Sequence, residues 1–303
     1  MEENKTENIV DDIVKTHISF SEFSLFSECG HRHLIEKYLK LEEQPPSIHL
    51  IYGNSMHYAI EMTLKDNLSV EDSARTFRET FQKGMFEQMK DLPEYNEMEE
   101  YTLQGENTLR VIDLKSLLKD YDVYSVEENL YEELAVFGKK GYYFKGFIDL
   151  VVKHKVTGEI LIIDWKTATE PWKISSKLSN DIFMCQMRFY KYFWGRKNNI
   201  PMSNIKCRYV VLARLKNKKK PENGYGNVAL VDIDSTEDEI KFSLEKLASA
   251  IKQIHIVKSF PKVKHFKNEK FSCMFCSYKG GKHPLCNYSL DQDKELLKIY
   301  LKA

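Results

Sequence analysis

The sequence predicts an α/β fold: a mixed central sheet flanked by helices, with a Cys-rich segment closing the chain. Three observations carry that expectation. Apolar residues recur at helical spacing before residue 120, as in Phe77, Phe81, Met85 and Met89. From Val123 the pattern turns to runs rich in β-branched and aromatic residues, which suit a pleated surface. Beyond Ser179 a helical pattern, two strand patterns and a further helical pattern follow.

Residues 1–16 read as a loose polar arm. From His17 a short extended stretch leads into a helix reaching to about Lys40, and Pro45 and Pro46 forbid its continuation. A second helix begins near Gly53 and sets His57 and Glu61, four residues apart, on one face. The stripe Phe77, Phe81, Met85 and Met89 then reads as core. Three strands are expected in VYSVEENLYEELAVF, YYFKGFIDLVVKH and EILIIDWK. Gly138 and Gly141, then Thr157 and Gly158, supply the turns between them, so an antiparallel meander is expected. A helix across 179–198, strands near 205–213 and 227–233, and a helix across 236–257 complete the pattern. The whole reads as one domain over 1–303. Its parts are a mainly helical segment (17–122), a sheet core (123–235) and a C-terminal helix with the Cys-rich segment (236–303).

Composition narrows the function. With 303 residues, 42% of them hydrophobic, the chain can bury a sizeable core. No run approaches the ~20 apolar residues of a membrane span. The polar, acidic N-terminus is no signal peptide, so a cytoplasmic protein is expected. No G-x-x-x-x-G-K-[ST] loop is present, which argues against an ATPase. The net charge is zero, yet the charge is segregated: thirteen acids against three bases from Asp91 to Glu133, and eight lysines against one acid from Lys252 to Lys282. A second basic cluster lies at Lys216, Lys218, Lys219 and Lys220. Such clusters suit either a solvated surface or a polyanion-facing one.

Chemistry concentrates in the strands. Asp149 interrupts the apolar run GFIDLVV, and Asp164 and Lys166 end the next, LIIDWKT. A carboxylate in such a run costs desolvation energy unless it is paired. Strand periodicity puts Asp164 and Lys166 on one face, and hairpin pairing brings Asp149 alongside. Hard oxygen ligands of this kind hold Mg²⁺ or Mn²⁺, and an adjacent ammonium stabilises phosphate oxygens or orients water. The set suits phosphodiester hydrolysis.

G-x-I-D at Gly146–Asp149, followed by D-W-K-T from Asp164, is similar to the RecB-like branch of the PD-(D/E)XK nucleases. The resemblance makes Asp149, Asp164 and Lys166 the catalytic residues of a restriction-endonuclease-like fold. Gly53-x-x-x-His57-x-x-x-Glu61 looks like that branch's upstream helix, and makes His57 a metal ligand beside Asp149, Asp164 and the backbone carbonyl of Trp165. Gln186-x-x-x-Tyr190 looks like its downstream motif, expected to position substrate or site. The resemblance implies a metal-dependent DNA exonuclease of recombination, repair, CRISPR adaptation or phage DNA metabolism. Its partners would be DNA, single-stranded or with free ends, and a helicase or recombination protein, with no membrane and no ATP. Two rivals keep part of the pattern: an inactive nucleic-acid-binding module and a redox-sensing iron–sulfur protein.

Six cysteines remain to be placed. In a cytosolic chain they do not suggest disulfides, and Cys185 and Cys207 lie in apolar runs that make them core. Cys29 with Cys273-x-x-Cys276-x₉-Cys286 resembles the iron–sulfur nucleases of the same branch, although Gly30 stands where proline is usual. That resemblance implies a [4Fe–4S] cluster on Cys29, Cys273, Cys276 and Cys286, in a C-terminal metal-bound lobe. The zinc alternative uses Cys273, Cys276, His283 and Cys286 as a Cys₃His site and leaves Cys29 a buried thiol.

Overall fold

Alternating apolar and β-branched residues give the second half of the chain its strands, and the computed structural model shows how they assemble. It describes residues 16–33, 36–37, 47–134, 142–170, 172, 177–214, 224–225 and 227–257. In chain order the elements are β1 (His17–Ser19), α1 (Phe20–Glu28), α2 (Gly30–His33), α3 (Ile48–Asp66), α4 (Val70–Met89), α5 (Met98–Val111) and α6 (Leu114–Leu117). There follow β2 (Tyr121–Glu133), β3 (Tyr143–His154), β4 (Ile160–Ala168), α7 (Asp181–Asn198), β5 (Ile205–Ala213), β6 (Gly224–Tyr225), β7 (Val228–Ile233) and α8 (Glu237–Val257). The fold is mixed α/β, as expected. Cys273, Cys276, His283, Cys286, the turn glycines Gly138 and Gly141, and Lys216–Lys220 lie outside the described residues.

The chain forms two compact units. The first comprises Met1–Gln44, Tyr131–Gly146 and Asp238–Ala303. Within it β1 runs parallel to the start of β3, with Ile18 opposite Phe144. Ser19 caps α1 by accepting the Glu22 N–H, and Phe23 and Phe26 are buried. The helix expected to reach Lys40 is interrupted. Cys29 is extended, with φ −159° and ψ 107°, and the four-residue α2 follows it. A buried Glu22–His33 pair, Oε1 to Nε2 at 3.1 Å, links the two helices.

The second unit comprises Pro45–Leu130 and Phe147–Glu237. Helix α3 starts at Ile48, five residues before the expected start at Gly53, because Ile48, Ile51 and Tyr52 are themselves core. On α4 the stripe Phe77, Phe81, Met85 and Met89 is buried. Each such side chain contributes about 1.5–3 kcal/mol by leaving water. These residues and Met56, Tyr101 and Leu109 pack on Leu150, Val152, Leu161, Ile163, Trp165, Val210 and Leu212, so one sheet face is closed by α3, α4 and α5.

Strand pairing follows from the connections. β2 pairs with β3. The short turn after His154, where Gly158 adopts φ +72°, returns the chain antiparallel, with Leu150 opposite Ile163. α7 then serves as a crossover, and β5 lies parallel to β4 with Asp164 opposite Tyr209. β7 is antiparallel to β5, and β6, which the sequence did not suggest, pairs with β7. Among the described residues no helix is long and apolar enough to cross a membrane.

Candidate active site

The antiparallel ladder of β3 and β4 runs through Leu150 opposite Ile163, and one step beyond it stand Asp149 and Asp164. There a side chain replaces backbone pairing: the Trp165 N–H donates to Asp149 Oδ2 at 2.7 Å. Both carboxylates are buried, so each must find partners. The other oxygen of Asp149 lies 3.4 Å from His57 Nδ1, delivered by α3. A Cβ on Gly53 would sit 3.3 Å from Thr167 Oγ1, so α3 crosses close to β4 at the point where it carries Lys166.

Asp164 is held from two sides. Its Oδ2 is 2.7 Å from Lys166 Nζ, two residues on along the same strand face. Its Oδ1 accepts from Gln186 Nε2 at 2.9 Å. The Gln186 amide is fully used, since Nε2 also donates to the Tyr190 hydroxyl (3.2 Å) and Oε1 accepts from the Tyr209 hydroxyl (3.3 Å). Gln186 and Tyr190, one helical turn apart on α7, are buried; Gln186 bonds Asp164 and Tyr190 bonds Gln186 rather than lining the open cavity.

That cavity, about 610 Å³, is lined among others by Gly53, His57, Glu61, Glu127, Asp149, Trp165 and Lys166. Glu127 was not singled out in the sequence. In VYSVEENL it reads as one of two adjacent acids on a strand. It nonetheless supplies a carboxylate to the pocket from β2, with a backbone φ of +53°. Non-glycine residues rarely occupy that region, and where they do the strain often marks function. Glu61, the last member of the helix motif, lines the cavity and pairs with Lys65.

Donor atoms of His57, Glu127 and Asp149 lie within 4.8 Å of one another. Two carboxylates and an imidazole are a fitting donor set for Mn²⁺ or Mg²⁺. Of the ligands expected from the sequence, His57 and Asp149 belong to this group. Asp164 stands beside it, drawn to Lys166 and Gln186, and Trp165 lines the cavity while its N–H holds Asp149.

The electrostatics of this donor set match crowded carboxylates. Burial, then the charges of Asp149 and Glu61, push the Glu127 carboxyl up to about 7. Burial also pushes Asp164 above the usual carboxylate range, against the pull of Lys166. For His57 burial works downward, but Asp149 and Asp164 outweigh it and the net shift is upward. Burial and the Asp164 charge keep the phenols of Tyr190 and Tyr209 protonated, and Tyr209 uses its proton as the donor to Gln186 Oε1.

Cys29 is half-buried, and its Sγ accepts the Arg32 N–H at 3.4 Å. Cys185 and Cys207 are buried, as expected of core cysteines.

Compared with known families, residues 17–280 match the model of the PD-(D/E)XK nuclease superfamily. No curated protein matches the chain.

Proposed function

The chain belongs to the PD-(D/E)XK nuclease superfamily, and from that membership we propose that it is a Mg²⁺- or Mn²⁺-dependent deoxyribonuclease that degrades DNA from its ends. The observation that carries the reading is the meeting of Asp149 and Lys166 at one cavity that also takes His57 and Glu127, with Asp164 held 2.7 Å from the Lys166 ammonium.

The roles follow from the contacts. His57, Glu127 and Asp149 would hold a divalent ion, which supplies Lewis-acid charge neutralisation and makes water a better nucleophile at neutral pH. Lys166 carries the ammonium that faces the phosphate oxygens as charge develops on them. Asp164 fixes that ammonium at 2.7 Å, and Gln186 fixes Asp164. The Trp165 N–H holds the Asp149 carboxylate so that its other oxygen faces His57.

The same reading gives Cys29, Cys273, Cys276 and Cys286 to a [4Fe–4S] cluster of structural purpose. Its described member, Cys29, is half-buried rather than sealed in the core, which leaves its sulfur accessible to a ligand. Zinc on Cys273, Cys276, His283 and Cys286 is the alternative. The setting is the cytoplasm, where thiols stay reduced.

Protein purified without oxygen, incubated with end-labelled single- and double-stranded DNA, tests the activity. Degradation is expected with Mn²⁺ or Mg²⁺, none with EDTA, and none in Asp149→Asn or Lys166→Ala. Full cleavage in both variants would refute the assignment.

A further inference from the structure

The cavity around the catalytic residues has an unusual rim. Three large apolar side chains line it and stay open to water: Leu50 at 63% exposure, Tyr58 at 43% and Phe147 at 49%. Leu50 and Tyr58 come from α3, the helix that delivers His57. Phe147 comes from β3, two residues before Asp149. Exposed apolar groups scattered singly are ordinary, but three bordering one catalytic cavity mark a contact surface.

The charge of the cavity says what that surface must do. Its lining holds three carboxylates, Glu61, Glu127 and Asp149, against one lysine, Lys166. Such a lining offers little to a DNA backbone beyond the metal and a single ammonium, so the strand must gain its remaining affinity elsewhere. A duplex hides the faces of its bases, whereas an unpaired strand presents them. Aromatic rings bind those faces with little regard for sequence.

We propose that Phe147 and Tyr58, with Leu50 beside them, form a base-stacking rim that makes the site select unpaired DNA strands. The proposal rests on the nuclease reading and adds to it the residues that set strand preference. The rings grip the bases adjoining the scissile phosphate, while the metal and Lys166 hold the phosphate itself.

The test compares two probes with the same phosphates, an oligo(dT) strand and an abasic strand of equal length, by fluorescence anisotropy in EDTA. Wild type is expected to bind oligo(dT) more tightly, by roughly five- to hundredfold if one base is stacked. Phe147→Ala and Tyr58→Ala should each shrink that difference, while Phe147→Tyr and Tyr58→Phe should restore it. With Mn²⁺ the same alanine variants should raise KM for single strands and leave kcat within about threefold. Equal binding of the two probes by wild type overturns the proposal, and so does a preference unchanged in both alanine variants. Because the anisotropy arm needs no cleavage, a missing rim and a missing nuclease activity give different results. Cleavage without base preference counts against the rim alone, and base preference without metal-dependent cleavage counts against the nuclease reading.

Discussion

Asp149 and Trp165 are joined by a hydrogen bond from backbone to side chain, 2.7 Å long and buried, at the point where the β3–β4 ladder ends. Under the proposed function the carboxylate therefore has two duties, one toward the ion and one toward the sheet. Substitutions at 149 should separate them. Asp149→Ala leaves the Trp165 N–H buried without an acceptor, which costs about 1–3 kcal/mol. Asp149→Asn keeps an oxygen for that N–H and loses only the charge. Both should abolish cleavage and weaken Mn²⁺ binding, but urea unfolding should show the stability loss in the alanine variant alone. Equal midpoints for the two would assign the hydrogen bond no structural weight.

Gln186 acts through Asp164, since its amide spends every polar atom on Asp164, Tyr190 and Tyr209. Gln186→Leu should let the Asp164 carboxylate turn and carry the Lys166 ammonium with it. Loss of such an orienting partner typically costs ten- to hundredfold in activity. The loss should appear in kcat, and Gln186→Asn, one methylene shorter, should not rescue it. A Gln186→Leu enzyme with wild-type kcat would return the residue to plain core packing.

Glu127 makes ion binding depend on pH. Its carboxyl sits at about 7 when no ion is present, so below that pH a proton must leave before the oxygen can ligate. Mn²⁺ affinity should therefore rise with pH up to about 7, with a slope of at least one decade per unit, since the upward-shifted His57 titrates in the same direction. Stability of the ion-free protein should run the opposite way. A carboxyl whose folded pKa exceeds its unfolded value favours the folded state at low pH, and that contribution is lost as pH rises from about 4.5 to about 7. Calorimetry in two buffers of different ionisation heat counts the protons released. Glu127→Gln should bind Mn²⁺ more weakly at pH 8 and release fewer of them.

Much of this geometry was legible in the sequence, for identifiable reasons. β4, β5 and α7 lie within two residues of their expected bounds because ILIIDWK, IKCRYVVLA and DIFMCQMRFYKYFW have strong local periodicity. Asp149, Asp164 and Lys166 stood out because charge in an apolar strand is costly. Glu127 did not, since nothing local tells an acid on a strand surface from one turned into a cavity by a positive φ. The pairing of Gln186 with Tyr190 was visible as an i, i+4 spacing. Its main partner, Asp164, is 22 residues away across the β4–α7 connection, a tertiary contact that periodicity does not encode. The break at Cys29 was missed as well, because FSECGHRH contains no proline and reads as continuous helix.

Lys166 and Asp164 form a close charge pair at the site, 2.7 Å between Nζ and Oδ2. Lys166→Met leaves the buried Asp164 carboxylate without its counter-ion, and its pKa, already raised by burial, should rise further. The ion-free variant should therefore lose more stability than wild type between pH 5 and 8, since the added penalty appears only as Asp164 ionises. Mn²⁺ should restore part of the loss, because the ion replaces the missing positive charge near the carboxylates. Melting curves at pH 5 and pH 8, with and without Mn²⁺, check both statements. Parallel pH profiles for variant and wild type would show that the pair is only a surface contact.

The last prediction concerns Cys29. If it joins Cys273, Cys276 and Cys286 around a [4Fe–4S] cluster, the ligation closes a loop of about 250 residues. In loop-entropy terms that contributes roughly 5–6 kcal/mol, by analogy with a disulfide. Anaerobically purified protein should then be brown and carry about four irons. Cys29→Ala should bleach it and lower its melting temperature, while Mn²⁺ still binds at His57, Glu127 and Asp149 in the folded fraction. The zinc site makes the reverse forecast: a colourless protein with one zinc, sensitive to His283→Ala and indifferent to Cys29→Ala. Metal analysis of these two variants separates the alternatives, and a metal-free wild type with normal stability would remove both.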